Sequence, residues 1–232
     1  MTEQSLKAET RNGKLLRETI LGGQDGLVNV LGVVLGVAAA TTEQRIIIVS
    51  GLAATFAESI SMGAVAYTST KAAHDFYKSM LQREEQEIEK VPRLEKDEIR
   101  TIFAKKGFKG KMLSDIVKRI TSDKKIWLET MMAEELRLFP DEYEHPLKSG
   151  IVVGLSSVVG SFIPLLPFFF VTGIPAMGVA VVISSLFLFV GGSIKAKLTI
   201  GDWQRSGTEM LLIGMTAALV GFAIGKMLGI SS

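Results

Sequence analysis

Ala53-Ala-Thr-Phe-Ala-Glu-Ser-Ile-Ser-Met-Gly-Ala-Val-Ala-Tyr67, followed nine residues later by Tyr77-Lys-Ser-Met-Leu-Gln-Arg-Glu-Glu-Gln-Glu-Ile-Glu89, is the stretch whose reading decides the fold. The first half is apolar except for one carboxylate, Glu58. The second is acidic and water-loving, and no helix breaker separates the two. The pattern predicts a single helix to about Lys90 that begins inside a membrane and ends outside it. Glu58 and Met62 are spaced i,i+4, so their side chains stack on one helix face about 6 Å apart. That face carries an oxygen ligand and a sulfur ligand at membrane depth.

Working outward, the whole chain of 232 residues combines 47% hydrophobic residues with 22% charge at a mean hydropathy of +0.33. These values are compatible only if the charges are segregated, and they are: apolar runs flank a charged block from Lys71 to Lys148. Cysteine is absent, which excludes disulfides, thiolate metal sites and cysteine nucleophiles. Residues 1–20 alternate acids and bases without an apolar centre, so they are not a signal peptide. Nothing in the charge distribution suggests a nucleic-acid partner.

Five apolar runs have the length or composition of membrane spans: Gly23 to about Thr41, Ile46 to about Thr70, Gly150 to Val171, Met177 to Ile194, and Gly207 to Leu228. The first is short for the roughly 20 residues a span needs. Pro164 and Pro167 predict a kink or early end in the third. Gly173-Ile-Pro175 reads as a turn. All of the Lys and Arg residues except Arg45 and Lys226 fall before the first span, in the block, or in the loop before the fifth span. The positive-inside rule therefore places the N-terminus and the block in the cytoplasm and Ser232 on the opposite side. The expected fold is all-α: a cytoplasmic segment 1–20, transmembrane helices 1–2 over 21–70, a cytoplasmic helical domain over 71–147, and transmembrane helices 3–5 over 148–232. Small-xxx-small pairs at Gly32/Gly36, Gly150/Gly154, Gly221/Gly225 and Gly225/Gly229 allow close helix approach, either within the chain or between copies.

Within the block, Pro92 is expected to open a helix, Gly107 to Gly110 to turn, Met112 to Ile120 to form a short amphipathic helix, and Asp123 to cap a last one. Three groups there resemble ligand sets: Glu84 with Glu87, Glu95 with Glu98, and Met131 and Met132 with Glu135. Carboxylates at i,i+3 share a helix face and can share a cation. The bland alternatives are a solvated acidic face and methionines in a core. Thioethers beside carboxylates favour a borderline transition ion over Mg²⁺ or Ca²⁺. Glutamates near their ordinary pKa of about 4.3 would release metal only below about pH 5. In the membrane, an ionised Glu58 costs about 2.5–3.5 kcal/mol on insertion scales and so points to a cavity or pathway, or else to a neutral carboxyl bonded to another helix. Asp25 reads as a pathway acid or a helix cap. His74 and His145 read as surface residues, and Glu209 as interfacial.

Asp25-Gly26 opening the first span, Ile60-Ser-Met-Gly63 in the second, the Arg83-Glu-Glu-Gln-Glu-Ile88 run, the Glu95/Glu98 pair and the Met131-Met132-x-x-Glu135 group together resemble the vacuolar iron transporter family, from about Leu21 to Leu228. The resemblance implies a homodimeric five-helix exporter of cytosolic Fe²⁺, and often Mn²⁺, in exchange for protons, with no prosthetic group. It implies pathway ligands at Asp25 and Met62, collecting sites in the block, and a home in the cell membrane of a prokaryote or the vacuolar membrane of a eukaryote. Family members commonly carry an acid two turns before the methionine, where this chain has Ala54; Glu58, one turn later, is expected to take its role. Because a carboxylate holds metal only when deprotonated, antiport follows from competition at one site. Two rival readings are a membrane-tethered di-iron carboxylate oxidase, against which the Glu-x-x-His signature is missing, and a metal-buffering or scaffold protein without transport.

Overall fold

The structure is a computed structural model that describes residues 3–140, 145–198 and 201–229. The described residues form nine helices and no strand: α1 Glu3–Ala40, α2 Gln44–Lys90, α3 Pro92–Lys105, α4 Gly110–Ile120, α5 Lys124–Glu134, α6 Pro146–Leu165, α7 Pro167–Phe170, α8 Gly173–Leu198 and α9 Trp203–Leu228. Five of these (α1, α2, α6, α8 and α9) are long and apolar enough to cross a membrane. The continuous helix expected from Ala53 to Lys90 is α2, 47 residues without a break.

Two local expectations are corrected. The first span is not a short helix beginning near Gly23, because α1 is already helical from Glu3 and its apolar part is an extension of a polar N-terminal stretch. Gly173-Ile-Pro175 is not a separate turn but the first turn of α8. Proline is tolerated there because the first N–H groups of a helix have no intrahelical acceptor, and Gly173 supplies the φ of +66° that redirects the chain from α7. Pro164 sits in the last turn of α6 and Pro167 opens α7, so the two prolines do end the regular helix. Ser232, expected on the side opposite the block, lies outside the described residues.

The chain divides into two compact units, Met1–Tyr67 with Leu147–Ser232, and Thr68–Pro146. In the first unit, glycines replace side chains wherever helices meet. A Cβ added to Gly36 of α1 would lie 2.8 Å from the Gly221 carbonyl oxygen of α9, and one on Gly225 would collide with Gly36. On α6, Gly150 packs against Gly63 of α2, with 2.8 Å from its would-be Cβ to the Gly63 oxygen, and a Cβ on Gly160 would collide with Gly23 of α1. The Gly229 backbone abuts Ala40. All four spaced glycine pairs thus serve packing within this chain, the intrachain alternative left open by the sequence. Val30, Leu31, Val34 and Leu35 of α1 meet Ile47, Leu165, Phe168, Ala176, Ala180 and Ala218 in an apolar core at one end of this unit. There the Gln44 side-chain amide donates to the Phe168 carbonyl at 2.6 Å. Outward-facing residues are also apolar, among them Ile60, Val159, Val182 and Leu219, as a lipid-facing surface requires.

The second unit has its own core. Ile88 from the end of α2, Ile99 of α3, Val117 of α4, and Trp127 and Met131 of α5 are buried together, with Phe103, Leu113, Ile120 and Leu128 packed around them. The spacings 99/103, 113/117/120 and 127/128/131 each place one apolar stripe inward. Gly107 and Gly110, at φ of 98° and 58°, make the α3–α4 turn. Asp123 caps α5, accepting from the N–H groups of Lys125 at 2.9 Å and Ile126 at 3.2 Å, but the helix ends at Glu134 rather than running on to Phe139-Pro140 as the sequence suggested.

Candidate functional site

In the second unit, α2, α3 and α5 bring Glu84, Glu95 and Glu135 together, with one carboxylate oxygen of each within 4.8 Å of the other two. Oxygens sharing one small divalent ion at ~2.1 Å can lie no more than about 4.2 Å apart, so closure on an ion needs only a side-chain adjustment. Glu84 and Glu95 are 4% and 3% exposed, although carboxylates are rarely buried unless paired. They hydrogen-bond one another. One oxygen of each, Oε1 of Glu84 and Oε2 of Glu95, has no hydrogen-bond partner among the described residues. Leaving such atoms buried is costly unless a proton or cation completes them.

The electrostatics follow from that crowding. Burial, then the hydrogen bond and negative charge of Glu95, push the Glu84 carboxyl up to about 8. Burial chiefly raises Glu95 as well, with Glu98 and Glu87 adding repulsion. Glu135, an exposed residue at the edge of the cluster, is pushed to about 6 by partial desolvation of its carboxyl, by the charges of Glu98 and Glu95, and by a hydrogen bond with Glu98. The five glutamates singled out in the charged block, Glu84, Glu87, Glu95, Glu98 and Glu135, therefore act on one another. With Glu84 at about 8 and Glu135 at about 6, protons are held in the metal-free unit at higher pH than the ordinary glutamate value of about 4.3 implies.

The solvated-face alternative applies to the neighbouring acids instead. Glu85 and Glu89 point to the other side of α2, where Lys124 Nζ pairs with them at 2.9 and 2.6 Å. Arg83 pairs with Glu87 at 3.0 Å. Met131 is fully buried in the apolar core of this unit, so its thioether has a packing role. Met132 is also buried, at 2% exposure, outside that cluster. Immediately beyond Glu135 the chain turns away through Arg137, which takes a left-handed φ of 55°.

In the first unit, Glu58 of α2 reaches α1, with its carboxyl in hydrogen-bonding contact with the side chains of Asp25 and Asn29. Asp25 and Asn29 are i,i+4 on α1 and so share a face. Met62 lies half-buried one turn beyond Glu58, whereas Ala54, one turn before it, packs against the apolar core. Asn29 was not among the candidate residues read from the sequence. Its signal was the i,i+4 spacing from Asp25. Also missed were two polar contacts to α6. Ser149 donates to Glu18, whose Oε2 is otherwise buried without a partner among the described residues, and Ser59 hydrogen-bonds Ser157 at 3.2 Å. His74 is paired with its neighbour Asp75, at 3.9 Å, and Glu209 is exposed.

Both carboxylate groups lie inside the region, residues 16–226, that matches the VIT family. The chain belongs to the VIT family. Among its relatives, vacuolar iron transporter 1 of Arabidopsis thaliana is 32% identical over 216 residues, covering 93% of this chain and 86% of the relative. Vacuolar iron transporter 2 of Oryza sativa subsp. japonica is 34% identical over 215 residues, covering 92% and 87%. The vacuolar iron transporter of Plasmodium falciparum (isolate 3D7) is 34% identical over 223 residues, covering 92% and 82%. These VIT proteins carry the names of transporters rather than enzymes. With them, the five long apolar helices identify this VIT member as a multi-pass membrane protein.

Proposed function

We propose that the chain moves a divalent transition metal, Fe²⁺ foremost and Mn²⁺ as an alternative, out of the cytoplasm in exchange for protons. The observation that carries this reading is the convergence of Glu84, Glu95 and Glu135 with two buried carboxylate oxygens left unpartnered. Such a group is costly to hold empty and ionised, so it exchanges protons for a cation. Glu87 and Glu98 stand beside it as additional oxygen donors, and Met132 is the thioether better placed for a softer ion. The second unit is the cytoplasmic collecting domain in this reading, consistent with the placement of the Lys and Arg residues.

Within the membrane, Asp25, Glu58 and Asn29 form the polar step of the path, with Met62 one turn further along α2. Glu58 takes the place of the acid missing at Ala54, where a carboxylate would face the apolar core of this chain. Ser61 is exposed at membrane depth, where polar groups need a partner. A second copy meeting this face, to make a homodimer with the path between the copies, supplies one. The cargo needs no prosthetic group, and the bilayer, the metal and protons are the partners. The membrane is the cell membrane in a prokaryote and the vacuolar membrane in a eukaryote.

The di-iron oxidase alternative has no support in the cluster, which contains no histidine among its converging ligands. Proteoliposomes loaded with a fluorescent metal indicator test the reading. Fe²⁺ or Mn²⁺ entry should accelerate when an opposing proton gradient is imposed. Silent liposomes would leave a metal-buffering protein, and oxygen consumption on adding Fe²⁺ would indicate an oxidase.

A further inference from the structure

A second feature of the first unit is lined by none of the acidic residues discussed above. A groove of about 400 Å³ opens between α1, α6 and α8, walled by Gln24, Leu27, Leu155, Val159 and Phe187 and indented at Gly191. It exists because α1 is drawn onto α6 to backbone contact at Gly23 and Gly160, while α8 is drawn onto α9, with a Cβ on Gly192 reaching 2.9 Å from Gly207. The two close approaches pull the helices apart between them. Gly191 has no side chain to fill the gap, and a Cβ there would meet only the Met210 methyl, at 3.8 Å.

The two ends of the groove differ. Phe187, Gly191 and Lys195 follow one another at i,i+4 on α8, so Lys195 continues the wall beyond the apolar part. Arg17 precedes Gln24 by two turns on the same face of α1. Both basic residues are exposed. At the same end, Lys197 lies over the Trp203 ring at 6.0 Å, and tryptophan beside lysine marks the depth of lipid headgroups. We propose that this groove holds one acyl chain of an anionic phospholipid, whose phosphate meets Arg17 and Lys195. Gln24, the polar group within the wall, donates to the ester region of the lipid. The inference rests on the five-helix membrane reading and is independent of the metal.

Native mass spectrometry of the full chain, taken from vesicles of equal dioleoylphosphatidylglycerol and dioleoylphosphatidylcholine, tests it. The wild type should retain one lipid per chain and prefer phosphatidylglycerol roughly tenfold, the scale expected for two basic side chains near a phosphate. Gly191→Leu, which fills the indentation, and Val159→Trp, which closes the opposite wall from an exposed position, should each reduce retention to background. Arg17→Gln with Lys195→Gln should keep a lipid but lose the preference. Equal retention of both lipids by the wild type would overturn the proposal. So would undiminished phosphatidylglycerol in both groove-filling variants. A dimer that forms only when lipid is withheld, and that Gly191→Leu abolishes, would assign the groove to a second copy instead.

Discussion

Glu84 concentrates the chemistry of the second unit in one side chain. Its carboxyl titrates near 8 when folded and near 4.3 when unfolded, so the folded state binds the extra proton between those values. The metal-free unit is therefore fully stabilised below about pH 4.3 and loses stability as the pH rises toward 8. Trp127 fluorescence in a Trp203→Phe background should show the metal-free thermal midpoint falling by several degrees from pH 5.5 to 8.5, and Mn²⁺ should restore it. A midpoint that rises over that range would show that Glu84 is not held protonated. Glu84→Gln should stabilise the metal-free unit at pH 8 by roughly 2 kcal/mol, since the desolvated charge is gone. It should weaken Mn²⁺ binding by at least about tenfold. Glu85→Gln, which loses only an exposed pair with Lys124, should leave calorimetric affinity nearly unchanged. The sequence singled out Glu84 by its i,i+3 spacing from Glu87, but left open whether that pair was a ligand set or a solvated acidic face. Only the packing of α3 and α5 against α2 separates a buried carboxylate from a solvated neighbour, and that burial, with the repulsion among the carboxylates it gathers, moves the pH at which protons compete.

Among the elements, α2 was the most legible, because one uninterrupted pattern changes from apolar to acidic without a breaker. The helices of the block followed from Pro92, Gly107, Gly110 and Asp123, each acting locally. The start of α1 was not legible, because its polar N-terminal half has no apolar period and is helical as an extension of the span. Spaced glycines announced close helix contacts without naming their partners, since α9 against α1 is a choice made by the bundle. Gly225→Leu places a side chain where the Gly36 carbonyl already stands and should separate α9 from α1. The expected result is a loss of about 3 kcal/mol or more, of the size seen for overpacking, read as a lower unfolding temperature in detergent. Gly191→Ala, with open space around its Cβ, should change that temperature by less than a degree or two. Equal effects of the two substitutions would contradict the assigned contacts.

At the scale of the molecule, segregation of charge made the five spans and the block readable from composition alone. The pairing of Asp25 with Glu58 was only half readable: each acid stood out at membrane depth, but their contact, and the addition of Asn29, depends on how α1 lies against α2. Under the proposed antiport, Met62→Ala removes a soft ligand without changing charge. It should reduce Fe²⁺ flux severalfold while leaving its dependence on the proton gradient in place. The most direct test of the central claim is the flux of Fe²⁺ and of protons, recorded together in proteoliposomes containing correctly inserted Glu58→Gln protein under an imposed pH gradient. If one carboxyl carries both ions, metal entry and its coupled proton movement disappear together. If Fe²⁺ still enters with an unaltered response to the gradient, Glu58 is only a hydrogen-bonding group between α1 and α2, and the proposed exchange is wrong.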